Sequence, residues 1–197
     1  MNRTLRKEAC EKNILVTGGA GFIGSHTCVE LLEAGYNVVI ADDLSNANEV
    51  AIDRIKKIEG LDGESARIKF YQKDVCNKKA MSDIFDDNEI DAVIHFAAFK
   101  AVGESCEKPL EYYQNNLGGA ITVLQVAKNH DCKNFIFSSS ATVYGEPDSV
   151  PLFETSPKKN PTNPYGWTKS MNEQILTDIA KSDPEWNIVL LRYFNPI

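Results

Sequence analysis

Tyr165 and Lys169 stand four residues apart, a spacing that brings both side chains to one face of a helix. A phenol ordinarily titrates near ~10. An ammonium held beside it favours the phenolate, which gives a general base able to work near neutral pH. Tyrosine and lysine at this spacing also occur on helices where both merely pack. Ser140 adds a third group. It ends the run Ser138–Ser139–Ser140 that follows the apolar Phe135–Phe137, and a hydroxyl at a strand end can hydrogen-bond a reacting oxygen. Ser140, Tyr165 and Lys169 together form a candidate proton-transfer set.

A second stretch would bring a partner for that set. Asn13–Thr17 reads as a strand running into Gly18–Gly19–Ala20–Gly21–Phe22–Ile23–Gly24, and an amphipathic helix over Ser25–Ala34 follows. Gly18 permits the tight turn, Gly21 lets backbone N–H groups approach a pyrophosphate, and Gly24 lets the helix pack close to the sheet. The helix then aims its first amides and the positive end of its dipole at the phosphates. The plain alternative is a strand-to-helix turn that binds nothing. Asp42 weighs against it, because it closes the next apolar run, Val38–Ala41, at the distance where a carboxylate meets an adenosine ribose diol. Asp42, with Asp43 beside it, would repel a 2′-phosphate, so NAD is expected rather than NADP. The oxidised nicotinamide would further favour the Tyr165 phenolate.

The elements that must position these groups alternate. Strands are expected at 13–17, 37–41, 68–71, 92–97, 135–137 and 188–191. Helices are expected at 25–34, 49–59, 78–87, from Pro109 to about His130 with a face of Leu110, Tyr113, Leu117, Ile121, Leu124 and Val126, and at 165–181. Five of the eight prolines fall at 147, 151, 157, 161 and 164, so the stretch from Gly145 to Pro164 is an ordered loop. This order gives an α/β fold, a doubly wound parallel sheet of Rossmann type with right-handed crossovers. Ligands then sit beyond the carboxyl ends of the strands, where Asp42, Asp74, Phe96–Lys100, Ser138–Ser140 and Tyr193–Asn195 converge.

Composition narrows the partners. A net charge of −7 argues against general affinity for nucleic acid or anionic membranes. The lysine pairs, Lys158–Lys159 among them, read as solvated faces. No apolar run approaches a membrane span, and the charged start to Glu11 is not a secretory signal. Five scattered cysteines, Cys10, Cys28, Cys76, Cys106 and Cys132, read as reduced thiols of a cytoplasmic protein rather than disulfides or metal ligands. Cys106 and His95 are expected to be packed rather than chemical. Residues 1–12 are read as a polar tail and 13–197 as one dinucleotide-binding domain.

The glycine turn with Tyr165-x-x-x-Lys169 resembles the extended short-chain dehydrogenase/reductase superfamily. Ile94–Ala97, Lys100–Ser105, Pro109–Tyr113, Ser138–Gly145 and Leu191–Pro196 narrow the resemblance to the UDP-glucose 4-epimerase family, from about Asn13 to the last residue. The resemblance implies a residue set. Phe22 and Ile23 would border the pyrophosphate. Asp42, Asp43, Leu44, Ser45, Asn46 and Ala47 would wrap the adenosine ribose, and Asp74 and Val75 would meet the adenine. Phe96, Ala97 and Lys100 would line the middle of the cofactor, and Asn115 would touch it from the long helix. Phe194 would flank the nicotinamide and Asn195 would touch the substrate diphosphate. Phe96 and Phe194, taken singly, also fit core packing.

The implied reaction interconverts UDP-glucose and UDP-galactose, as in galactose metabolism. Tyr165 removes the 4-hydroxyl proton, Ser140 orients the 4-oxygen, and a 4-keto sugar turns its other face before hydride and proton return. Lys100 would reach the substrate as well. Related nucleotide-sugar 4,6-dehydratases carry an Asp–Glu pair where this chain has Ala141 and Thr142, which cannot serve as that acid and base. The family continues into a second, smaller substrate lobe past residue 197. This chain is therefore expected to cradle NAD and to turn over poorly alone. A homodimer through the two long helices is the implied assembly. Other readings stay open: a non-catalytic NAD-binding interaction module, or another nucleotide-sugar epimerase of the superfamily.

Overall fold

The computed structural model describes residues 12–61 and 65–195. The expected polar tail, apart from Lys12, lies outside the described residues, as do the middle of the expected turn 60–65 and Pro196. Six strands make one sheet: β1 (Asn13–Thr17), β2 (Asn37–Asp42), β3 (Ile68–Gln72), β4 (Ile90–His95), β5 (Asn134–Ser140) and β6 (Asn187–Tyr193). Their order is β3-β2-β1-β4-β5-β6, and every neighbouring pair is parallel. The helices are α1 (Phe22–Glu33), α2 (Val50–Ile58), α3 (Lys78–Asp86), α4 (Val102–Glu107), α5 (Pro109–Asn129) and α6 (Pro164–Ser182).

Alternation along the strands divides the core. Leu15, Val39, Val93, Phe135 and Phe137 pack with Met81, Ile84 and Phe85 of α3, Val123 of α5 and Leu176 of α6 on one face. Ile14, Val16, Val38 and Ile40 pack with Cys28 and Leu32 of α1 and Ile52 and Ile55 of α2 on the other. Neighbouring residues of β1 and β2 thus serve opposite layers, as the pleat requires. Strands buried on both sides are what an all-parallel sheet demands.

Several expected boundaries move. α1 begins at Phe22, three residues early, with Gly21 as an N-cap that offers no side-chain acceptor. α6 opens at Pro164, where Asn163 Oδ1 accepts the Gly166 N–H at 2.8 Å. β4 spans Ile90–His95, and its early start brings in Asp91, a poor strand residue by type, whose carboxylate accepts the Asn13 N–H of neighbouring β1 at 2.8 Å. β5 runs on through Ser140 rather than ending at Phe137, since β6 pairs with it as far as Ser140 opposite Tyr193. The buried face of α5 is rotated from the expected stripe. Tyr112, Asn116, Ala120, Val123, Leu124 and Ala127 go inside, while Leu110 and Ile121 stay out.

Helix α4 was not expected at all. The described cysteines are free: Cys28 and Cys132 are buried, but Cys106, expected to be packed, is exposed on α4. Burial pushes the Cys28 thiol up to about 12 and the Cys132 thiol to about 11. No helix among the described residues is long and apolar enough to cross a membrane.

Candidate active site

A cleft of about 490 Å³ opens along the carboxyl ends of the strands, within the size range of small-molecule and cofactor sites. Its first wall is the glycine turn. Gly18 has φ +69°, and a Cβ there would lie 2.6 Å from Ala97 N. A Cβ on Gly24 would lie 2.2 Å from Gly18 O. α1 therefore starts flush against the turn that follows β1. Its first N–H groups have no acceptor within the helix, no side chain caps them, and Phe22, Ile23 and Gly24 line the cleft.

Asp42 fastens this wall to the next. Its Oδ2 accepts the Ala20 N–H at 3.0 Å and its Oδ1 accepts the Leu44 N–H at 2.9 Å, so the carboxylate is fixed where β2 ends. Asp43, Ser45, Asn46, Asp74 and Val75 continue the lining, as expected. Leu44 and Ala47 do not. Leu44 takes a left-handed backbone, φ 62°, and both side chains pack against the second core layer. The loop thus meets the cleft on either side of two residues whose side chains are turned inward.

The centre of the cleft follows β4. Phe96, Ala97 and Lys100 line it, joined by Ala98, Phe99 and Val102. Asn116, which the sequence reading passed over, holds this loop. Its Oδ1 accepts the Phe99 N–H at 2.8 Å, its Nδ2 donates to Phe99 O at 3.0 Å, and the same Nδ2 reaches Thr168 Oγ1 at 3.1 Å. Asn115, the residue expected to face the cofactor, lines the cleft and donates to Asn116 Oδ1 at 3.0 Å. Tyr112 steadies Lys100 from below, with its hydroxyl accepting the Ala101 N–H at 3.1 Å and donating to Glu104 at 2.9 Å. Burial, with Glu104 second, pushes that phenol up to about 12.

The proton-transfer set closes the far wall. Lys169 is buried and donates its ammonium to Ser138 O at 2.7 Å. The same nitrogen stands 5.7 Å from the Tyr165 ring centre and 5.0 Å from that of Phe137. Burial brings the ammonium down to about 8. Burial pushes the Tyr165 phenol up, and the Ser140 side chain offsets only part of that rise. Ser140 Oγ also accepts the Thr142 N–H at 3.3 Å, capping the 3-10 turn Ala141–Tyr144. Phe194 and Asn195 line the same cleft after β6, beside Tyr193.

His95 is packed, as expected. It is 2% exposed, and its Nδ1 lies 2.8 Å from Thr17 Oγ1 beneath the glycine turn. Burial first, then the charge of Lys169, lowers its pKa to about 3, so the ring is neutral. Among the described residues, no group of three or more His, Cys, Asp or Glu is arranged to hold a metal ion.

The arrangement suits a dinucleotide. A close glycine turn, an uncapped helix start and a carboxylate beyond β2 line one end, and a phenol, a hydroxyl and an ammonium line the other. Comparison with known proteins agrees. The "UDP-glucose 4-epimerase 2" of Arabidopsis thaliana is 53% identical over 186 residues, which is 94% of this chain and 52% of the relative. The UDP-glucose 4-epimerase of Dictyostelium discoideum is 52% identical over 96% of this chain and 54% of its own length. A crystal structure of UDP-glucose 4-epimerase from Bifidobacterium longum, in complex with NAD+ and UDP, superposes with a TM-score of 0.90 at 50% identity, covering 94% of this chain and 54% of that one. The chain thus spans about half the length of the curated relatives it matches. Residues 14–197 match the family described as NAD dependent epimerase/dehydratase, and the chain belongs to that family.

Proposed function

We propose that this chain is the cofactor lobe of a UDP-glucose 4-epimerase. It binds NAD and, in the complete protein, serves the interconversion of UDP-glucose and UDP-galactose in galactose metabolism. The observation that carries the reading is the meeting of Ser140, Tyr165 and Lys169 in the cleft that the glycine turn and Asp42 also line. The α1 amides, with Gly18, Gly21, Phe22 and Ile23, would hold the pyrophosphate, and Asp42 the adenosine ribose. Asp74 and Val75 would hold the adenine, and Lys169, Tyr165 and Phe194 the nicotinamide end. When bound, NAD supplies the acceptor and later the donor of the C4 hydride.

Tyr165 takes the proton from the sugar 4-hydroxyl and returns it to the same oxygen after the sugar presents its other face. Ser140, which lines the cleft beside the phenol, orients that oxygen. Lys169 fixes the end of β5 through Ser138 O and places a positive charge near the phenol, which favours the phenolate. Lys100 and Asn195 supply donors for the nucleotide-sugar phosphates. Ala141 and Thr142 stand where a dehydratase needs an acid and a base, which favours epimerisation. Leu110 and Ile121 on α5 and Met171 on α6 are exposed and offer the surface for the expected homodimer. The 197-residue chain alone is expected to retain NAD and show little turnover.

The test uses the complete protein incubated with UDP-galactose and no added NAD, with UDP-glucose followed by chromatography. Turnover is expected. Tyr165→Phe is expected to lower kcat by about 10²- to 10⁴-fold, the usual worth of a general base, with NAD still bound. Unchanged turnover in Tyr165→Phe would remove the phenol from the chemistry.

A further inference from the structure

Tyr165, Lys169 and Glu173 follow one another at four-residue intervals on α6, so they share one face. The three consecutive serines that end β5 meet that face rung by rung. Ser140 lines the cleft together with Tyr165, Ser138 O accepts from Lys169 at 2.7 Å, and Ser139 Oγ donates to Glu173 Oε1 at 2.6 Å. The first two rungs belong to the proton-transfer set. The third has no part in it, and neither Glu173 nor its partner Arg192 lines the cleft.

Glu173 is fully buried, yet three elements converge on its carboxylate. Arg192 of β6 donates from Nε to Oε1 and from Nη2 to Oε2, each at 2.9 Å. Lys158, from the proline-rich loop and expected to be solvated, reaches Oε2 at 3.1 Å. Arg192 Nη1 continues to the Tyr144 hydroxyl at 2.8 Å, and that hydroxyl donates to Phe153 O at 3.1 Å. Burial alone would raise the Glu173 carboxyl; the hydrogen bonds from Arg192, Ser139 and Lys158 reverse this and hold it below the usual range.

A buried ion pair is weak as a source of net stability, because desolvation offsets most of its attraction; its better-attested use is to specify register. Each partner here is in the cleft wall or one step from it. Ser139 lines the cleft beside Ser140, Arg192 precedes Tyr193, and Glu173 lies one turn beyond Lys169. We propose that Glu173, with Ser139 and Arg192, is a positioning device that sets the register of β5 and β6 against α6, and so holds Ser140 in place beside the Tyr165 phenol. The proposal deepens the epimerase reading above and rests on it for the kinetic effect. Its effect on the phenol itself does not depend on that reading.

The test is Ser139→Ala in the complete protein, which deletes one hydrogen bond and leaves the Glu173–Arg192 pair intact. The phenol of Tyr165 is titrated by ultraviolet difference spectroscopy against Tyr165→Phe. Lys169, Lys100, Tyr112 and Tyr193, the other titratable groups around it, keep their own surroundings. With the Ser140 hydroxyl no longer held in line, the phenol should titrate higher than in the wild type. The kcat for UDP-galactose should fall about tenfold or more, as a misplaced reacting group requires, while KM and NAD affinity stay within about twofold. Ser139→Thr, which restores a hydroxyl, should recover both.

Glu173→Gln should move both readouts further in the same direction, but it also weakens the fold, so the serine variant decides. A lower melting temperature in Ser139→Ala with unchanged phenol titration and unchanged kcat would reduce the network to a brace and overturn the proposal. A raised phenol pKa in a protein whose wild type does not epimerise would keep the positioning role and overturn the epimerase reading instead.

Discussion

Among the described glycines, Gly24 is where a single added carbon would meet a neighbour at 2.2 Å. An alanine Cβ there would stand 2.2 Å from Gly18 O and 2.8 Å from Gly19 Cα. Both are backbone atoms of a turn held by Gly18 N–H to Ala41 O at 2.8 Å and Gly21 N–H to Gly18 O at 3.2 Å, so neither can rotate away. Ordinary contact begins at 3.4 Å, and α1 and the turn must therefore separate by roughly 1 Å. Two effects oppose each other. Alanine gains about 1 kcal/mol over glycine in helix propensity, and overpacking a close contact costs about 1–3 kcal/mol.

Because the clash is with rigid backbone, the upper end of the overpacking cost applies, and a net loss of up to about 2 kcal/mol is expected in Gly24→Ala. The helix start also backs away from the phosphates. Losing one charge-assisted hydrogen bond, about 1.5–3 kcal/mol, weakens NAD about tenfold to a hundredfold. Gly21→Ala is the control. Its Cβ meets only Gly18 O at 3.2 Å, and φ −72°, ψ 174° suits alanine. Because alanine is a poorer N-cap than glycine, stability should fall by about 0.5–1 kcal/mol, less than in Gly24→Ala, while the methyl intrudes on the ligand side and NAD weakens. Denaturant unfolding and titration calorimetry with NAD measure both quantities. If Gly24→Ala keeps the wild-type midpoint and affinity, the close-approach argument is wrong.

Two further outcomes are expected. Asp42→Asn removes the charge proposed to face the adenosine ribose and should lower the preference for NAD over NADP by about tenfold or more, the worth of one hydrogen bond to a charged group; an unchanged ratio in competitive binding would place the ribose elsewhere. His95 is neutral in the folded protein, with a pKa lowered to about 3, but takes a proton near ~6.5 when unfolded. Its contribution is therefore fully present above ~6.5 and lost as pH falls towards 3, at about 1.4 kcal/mol per pH unit. His95→Gln should flatten the upper part of that slope in unfolding experiments between ~pH 6.5 and 5, and an identical slope in the variant would assign it to other groups.

The strand–helix alternation and the glycine turn were legible because each rests on local patterns: apolar runs, glycine spacing, proline at a helix start. The expected cleft also came through, since topology alone sends the strand ends to one side. What the sequence hid was set by long-range contact. Helix α4 is six residues with Gly103 in it and only Ser105 buried, so no apolar period marks it. Leu44 sits in a polar loop, and only its left-handed backbone turns it to the core. Glu173 and Arg192 lie 19 residues apart in the chain, and their pairing depends on β6 lying beside β5 under α6. One signal was available: Glu173 continues the four-residue spacing of Tyr165 and Lys169.

The two margins of the sheet are unlike. At the β3 rim, Lys69 stands exposed and donates to Asn88 Oδ1 at 2.7 Å, a charge of the kind that discourages edge-to-edge association. At the β6 rim, Val189 and Leu191 are 47% and 37% exposed on the side away from Ile188 and Leu190, and no strand pairs beyond β6 among the described residues. A bare backbone edge flanked by branched aliphatics is a template for another strand. The two rims thus differ in chemistry, one carrying a solvated ammonium and the other a pair of half-exposed branched aliphatics.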